Sequence, residues 1–188
     1  MNRHDRSIVL IGMMGAGKSS VGLCLRRRTR LKLFDTDEIV TSKFGMPISE
    51  IFLKQGENKF REAETEALKT LASSEPLVIV TGGGIVLRDE NLDLLKRLGV
   101  AVWLEADEET LFKRASRAGN RPLLQRKNPR KAFTQMLQAR LPLYAKIADI
   151  RIDTSVLTDE EVAVAILSKF SRYYCESVPA AAMPATTS

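Results

Sequence analysis

The segment Gly12-Met13-Met14-Gly15-Ala16-Gly17-Lys18-Ser19 fits the spacing G-x-x-x-x-G-K-[ST]. In that spacing, glycines let successive backbone N–H groups turn inward around phosphate oxygens. The lysine reaches the β- and γ-phosphates and the hydroxyl ligates Mg²⁺. The cradle is Gly15, Ala16, Gly17, Lys18, Ser19 and Ser20, at the positive end of a following helix. Such a loop needs a buried strand before it and a helix after it. Residues 8–14 are apolar and a buried strand is expected at 7–11, and residues 18–28 read as a helix.

The rest of the chain repeats that alternation. Strands are expected at 31–34, 77–80, 100–104 and 150–153. Helices are expected at 35–44, from about 48, at 57–73 after a break at Gly56, and at 89–98, 108–117, 130–147 (interrupted by Pro142) and 158–173. The 77–80 strand is too apolar to have a wet face, so it is central and parallel. Strands alternating with helices give an α/β fold, a parallel sheet covered by helices in three layers. There is no internal repeat and no mid-chain linker, so one domain is expected over residues 1–176, with a disordered Ala/Pro/Thr/Ser tail at 177–188.

Charge narrows the class of ligand. Between Glu109 and Asp149 lie 39 residues with ten basic side chains and no acidic one. Of the net +6, this stretch carries +10 and the remainder −4, the pattern of a local polyanion site rather than a nucleic-acid coat. No aromatic platform lies among the basic residues, which argues against nucleic acid. No apolar run reaches eighteen residues, so a spanning helix is not expected. The two cysteines build no disulfide framework or metal cluster. With His4 the sole histidine, proton transfer is left to carboxylates, lysines or water.

Four features carry the remaining chemistry. Asp35 and Asp37 follow the second strand. In extended geometry i and i+2 share a face, so Asp35 is expected to hold a metal-bound water and Asp37 to take a hydroxyl proton. Capping of the next helix is the other use of the pair, and the two are compatible. Gly82-Gly83-Gly84 ends a central strand, where parallel sheets bind ligands, and permits close backbone approach to a small polar molecule. Arg140 falls inside the apolar stripe of Phe133, Met136, Leu137, Leu141 and Tyr144, so it either snorkels or is aimed at an anion. With Arg61 it would suit a substrate carboxylate. Arg114, Arg117 and Arg121 flank or enter an expected lid at about 114–128, which would bring a cation to the transferring phosphoryl group. The basic run from Arg26 to Lys32 reads as a solvated face at a helix C-terminus.

Together, the phosphate loop, Phe34-Asp35-Thr36-Asp37, Phe60-Arg61-Glu62-Ala63-Glu64, Gly82-Gly83-Gly84, Arg121-Pro122-Leu123-Leu124 and Arg140-Leu141-Pro142-Leu143-Tyr144 resemble the shikimate kinases over residues 7–170. The resemblance implies a nucleoside-monophosphate-kinase-like fold with a five-stranded parallel sheet in order 2-3-1-4-5. It implies ATP- and Mg²⁺-dependent transfer of the γ-phosphoryl group to the 3-hydroxyl of shikimate, in aromatic amino acid biosynthesis. By resemblance Asp37 binds the substrate hydroxyls and serves as base, and Asp35 and Ser19 lie at Mg²⁺. Arg61, Arg140 and Gly82 to Gly84 hold shikimate, Arg121 lies on the phosphates, and Arg114 lies against adenine. A cytoplasmic monomer is expected, with no nucleic-acid or membrane partner. The rival readings are a kinase of another hydroxy acid such as gluconate, and a non-catalytic nucleotide-binding relative.

Overall fold

The computed structural model describes residues 6–72, 75–117 and 127–177. In chain order the elements are β1 (Ser7–Ile11), α1 (Lys18–Thr29), β2 (Lys32–Asp35), α2 (Thr36–Phe44), α3 (Ile48–Thr70), β3 (Leu77–Val80), a 3-10 turn (Ile85–Leu87), α4 (Asp89–Leu98), β4 (Gly99–Glu105), α5 (Glu108–Arg117), α6 (Pro129–Ile147), β5 (Ile150–Asp153) and α7 (Asp159–Ser177).

The five strands form one sheet in the order β2-β3-β1-β4-β5, and all four pairings are parallel. Burial follows from position in the sheet. The inner strands β1 and β3 are buried along their whole length, and β4 up to its last residue. The edge strands β2 and β5 alternate between covered and more open positions. A strand sandwiched between helix layers has no wet face, whereas an edge strand keeps one.

The chain leaves β1 toward β2 and β3 on one side and toward β4 and β5 on the other. The carboxyl ends of these strands therefore frame a crevice around the end of β1, where the phosphate loop begins. Register brings the loops into contact. Asp35 pairs with Val80, so the turn after β2 abuts the glycine triplet after β3.

A second, smaller core lies between α2 and α3, built from Val40, Ile51, Phe60, Ala63 and Ala67. It holds the Arg61 turn of α3 against the sheet ends. Gly56 breaks helical geometry inside α3 at φ 81°, ψ 166°, as the sequence predicts.

Two expectations are corrected. Pro142 does not interrupt α6, which runs unbroken from Pro129 to Ile147. Proline removes one N–H from the helix, and burial of Leu137, Tyr144 and Ile147 on either side carries the helix past it. The last helix extends to Ser177 rather than 173, one residue past the expected domain end at 176. Among the described residues, no helix is long and apolar enough to cross a membrane.

Candidate active site

The phosphate loop joins β1 to α1 as its chemistry requires. Gly15 and Gly17 both sit at φ 87°, in the left-handed region. At Gly15 a side chain would also collide with the Leu111 carbonyl of α5, so glycine is required there twice over. Lys18 is largely buried, and its Nζ donates to the Gly12 carbonyl at 2.8 Å and the Met13 carbonyl at 3.1 Å. The ammonium thus spans the loop, bridging two of its carbonyls. Met14, Gly15, Gly17, Lys18, Ser19 and Ser20 line a cleft of about 650 Å³, while Ala16 is buried behind it.

Asp35 and Asp37 line the same cleft. They do not reach it as two residues of one extended strand, which corrects the i, i+2 argument. Asp35 ends β2 and is the N-cap of α2, its Oδ1 accepting from the Asp37 N–H at 2.9 Å. Asp37 lies in the first helical turn, where a carboxylate is favoured. Both uses weighed from sequence, capping and facing the cleft, therefore coexist. Asp35 Oδ2 lies 3.5 Å from the Ser19 hydroxyl. Burial, with the neighbouring Asp37 charge second, pushes the Asp35 carboxyl up to about 6.

Two arginines converge on the glycine turn. Arg61 donates from Nη1 to Glu64 at 2.7 Å and from Nη2 to Glu57 at 3.0 Å, and its guanidinium lies over the Phe52 and Phe60 rings. A Cβ on Gly84 would overlap that guanidinium. Arg140 is 7 % exposed, and its Nη1 would lie 3.6 Å from a Cβ on Gly83. Among the described residues Arg140 forms no ion pair. A buried guanidinium without a carboxylate is costly unless an anion arrives to neutralise it. Burial, the largest influence, lowers its pKa from the ordinary value.

Three residues packed into the site were not singled out from sequence alone. Glu64 is fully buried, with Oε2 on Arg61 and Oε1 without a hydrogen-bond partner among the described residues. A Cβ on Gly82 would lie 2.5 Å from Asp37 Oδ1 and 2.8 Å from Glu64 Oε1, so the two carboxylates face each other across the glycine backbone. Thr36 accepts the Gly82 N–H at 3.0 Å and ties the two loops together. Tyr144, read as core filling, donates its hydroxyl to the Gly83 carbonyl. For Glu64 the available signal was its i, i+3 spacing from Arg61, which on an exposed helix would mean only a surface pair.

Arg114 donates to the Thr154 hydroxyl at 3.1 Å and the Thr154 carbonyl at 2.9 Å, and lines the cleft beside Leu157 and Thr158. Arg121 lies outside the described residues, as does most of the expected lid at 114–128. Within the basic run, Arg27 and Arg28 are exposed and pair with Glu160 of α7. Cys24 is buried.

Glu64 makes the stability of the fold pH-dependent in a definite direction. Burial outweighs the Arg61 pairing, and the nearby Asp37 charge adds to it, so the carboxyl is pushed from 4.5 up to about 7. Between those values the folded chain holds a proton that the unfolded chain has released, so raising the pH favours unfolding. Glu64→Gln carries no such proton. Urea unfolding at pH 5 and pH 8 is expected to show the wild type losing more stability than Glu64→Gln across that interval. Asp35 contributes with the same sign in both proteins and cancels. Equal losses in the two proteins would show that Glu64 ionises normally.

The family described as shikimate kinase matches residues 14–171. A shikimate kinase of Thermodesulfovibrio yellowstonii is 47% identical over 167 residues, covering 89% of this chain and 96% of that protein. The solved structure of a shikimate kinase from Acinetobacter baumannii in complex with shikimate superposes with a TM-score of 0.83 at 38% identity, covering 87% of this chain and 92% of that one. A gluconokinase from Sinorhizobium meliloti shares the fold, with a TM-score of 0.62 at 21% identity over 95% of this chain and all of its own.

Proposed function

The chain belongs to the shikimate kinase family, and we propose an assignment of its residues to the phosphorylation of shikimate by ATP that it catalyses. The observation that carries the assignment is Arg140, a buried guanidinium with no ion pair among the described residues, set against the glycine turn and close to Arg61. Shikimate is a carboxylic acid, and its carboxylate supplies the missing negative charge. With the carboxylate between Arg61 and Arg140, the ring hydroxyls fall toward Asp37, on the phosphate-loop side.

In this assignment Gly15 to Ser20 surround the ATP phosphates and Lys18 moves from the loop carbonyls onto the β- and γ-oxygens. Asp37 accepts the proton of the 3-hydroxyl as that oxygen attacks the γ-phosphorus, releasing ADP. Arg114 lies against adenine, and Arg121 supplies a further cation to the phosphates.

Mg²⁺ fits the residues present. The Ser19 hydroxyl and the Asp35 carboxylate lie within reach of each other, and a cation would relieve the Asp35–Asp37 repulsion that raises the Asp35 pKa. Magnesium characteristically takes one or two protein ligands plus substrate phosphates. When bound, the ion would neutralise charge building on the β- and γ-oxygens. The reading takes the enzyme as a cytoplasmic monomer acting on small molecules, with neither nucleic acid nor membrane as partner.

A coupled assay of ADP release tests the substrate assignment. ADP is expected to appear with shikimate and only at the buffer background with gluconate or with no acceptor. Release that is equal with and without shikimate would remove the assignment, and a preference for gluconate would transfer it to the rival kinase.

A further inference from the structure

A peptide flanked by two glycines has little to choose its orientation. Without Cβ atoms on either side, the whole unit can turn over at low cost. The Gly83–Gly84 peptide is such a unit, and it stands at the back of the proposed shikimate seat. Its hydrogen bonds therefore decide which way its N–H points.

Those bonds are nearly all accounted for. The Gly82 N–H is given to Thr36, and the Gly82 and Gly84 carbonyls accept from Ile85 and Leu87 at 3.1 Å each. The Gly83 carbonyl accepts from the Tyr144 hydroxyl at 2.5 Å. Among the described residues the N–H groups of Gly83 and Gly84 have no acceptor. These two amides are the donors the turn keeps for a ligand.

We propose that Tyr144 is a positioning residue for shikimate: its hydroxyl pins the Gly83 carbonyl toward α6 and so turns the Gly84 N–H to the opposite side, toward the substrate. A trans peptide carries its C=O and N–H on opposite sides, so fixing one fixes the other. The Tyr144 ring is fully buried and lies against Trp103, with centroids 5.8 Å apart, so the hydroxyl is held from below by the sheet. Tyr144 stands one helical turn beyond Arg140, on the same face of α6. One helix thus supplies both the cation for the carboxylate and the clamp on the amide turn.

The inference rests on the shikimate assignment above, and the test separates the two. In Tyr144→Phe the KM for shikimate is expected to rise about tenfold, the scale of one buried hydrogen bond and its orphaned carbonyl. The kcat and the KM for ATP should stay within about twofold, since the phosphate loop is untouched. A purely structural role would lower the melting temperature and leave the shikimate KM unchanged, and that result overturns the proposal. Should Tyr144→Phe not fold, 3-fluorotyrosine placed at position 144 keeps the packing and strengthens the donor. Its shikimate KM should fall, and an unchanged value overturns the proposal. Arg140→Met, measured alongside, identifies which reading fails. If it raises the shikimate KM while Tyr144→Phe does not, the clamp alone is wrong. If neither variant moves the KM, the substrate seat is wrong as well.

Discussion

Asp37→Asn is expected to lower kcat by about 10²–10⁴, the range for loss of a general base. Asparagine keeps the shape of the side chain and its ability to hold a hydroxyl in place, but it takes no proton. The KM for shikimate should therefore change far less than kcat. Stability is expected to hold or improve, because the Asp37 charge pushes up both the Asp35 and the Glu64 carboxyls. Removing it should let both ionise more readily. The combination of a crippled turnover with an undamaged fold distinguishes lost chemistry from lost structure. A variant with wild-type kcat would mean that the hydroxyl proton leaves by another route, and Asp37 would then be a binding residue only.

Arg140→Met is expected to act on binding and stability with opposite signs. Truncating one side of a buried, hydrogen-bonded charge pair costs about 2–5 kcal/mol, which raises the shikimate KM by about 30-fold to a few thousand-fold. In the free protein, however, the guanidinium is buried without an ion pair among the described residues, close to the like charge of Arg61. Replacing it with an apolar chain of similar length removes an uncompensated charge, an exchange that is often neutral or stabilising. The melting temperature of the unliganded variant should therefore match or exceed that of the wild type, while stabilisation by shikimate disappears. A lower melting temperature with an unchanged KM would make Arg140 a structural residue.

The phosphate loop and the order of strands and helices were legible because their signals are local. Glycine spacing, apolar runs and helical periodicity need no tertiary knowledge. The sheet order came from resemblance, since no periodicity says which strand lies beside which. Asp35 and Asp37 have the i, i+2 spacing of a strand, but only Asp35 belongs to β2, and Asp37 lies in the first turn of α2. A residue that ends a strand and caps a helix satisfies both patterns, and sequence does not tell where one stops.

Arg140 stood out because a charge inside an apolar stripe breaks a rule that the rest of α6 obeys. Glu64 broke no rule. Its distance from Arg61 is that of an ordinary surface pair, and its burial is created by α2 packing over α3 and by the Gly82 backbone. Tyr144 was hidden in the opposite way. It fits the apolar stripe perfectly well, and only the meeting of α6 with the turn after β3 gives its hydroxyl a partner. What escaped the sequence is therefore contact between distant segments.

The position of shikimate in the cleft tests the proposed division of roles most directly. A crystal structure of this chain with shikimate and ADP should place the substrate carboxylate about 3 Å from both Arg61 and Arg140, and the 3-hydroxyl at the same distance from Asp37. A ring seated with its carboxylate away from Arg140, or with its 3-hydroxyl out of reach of Asp37, would contradict it.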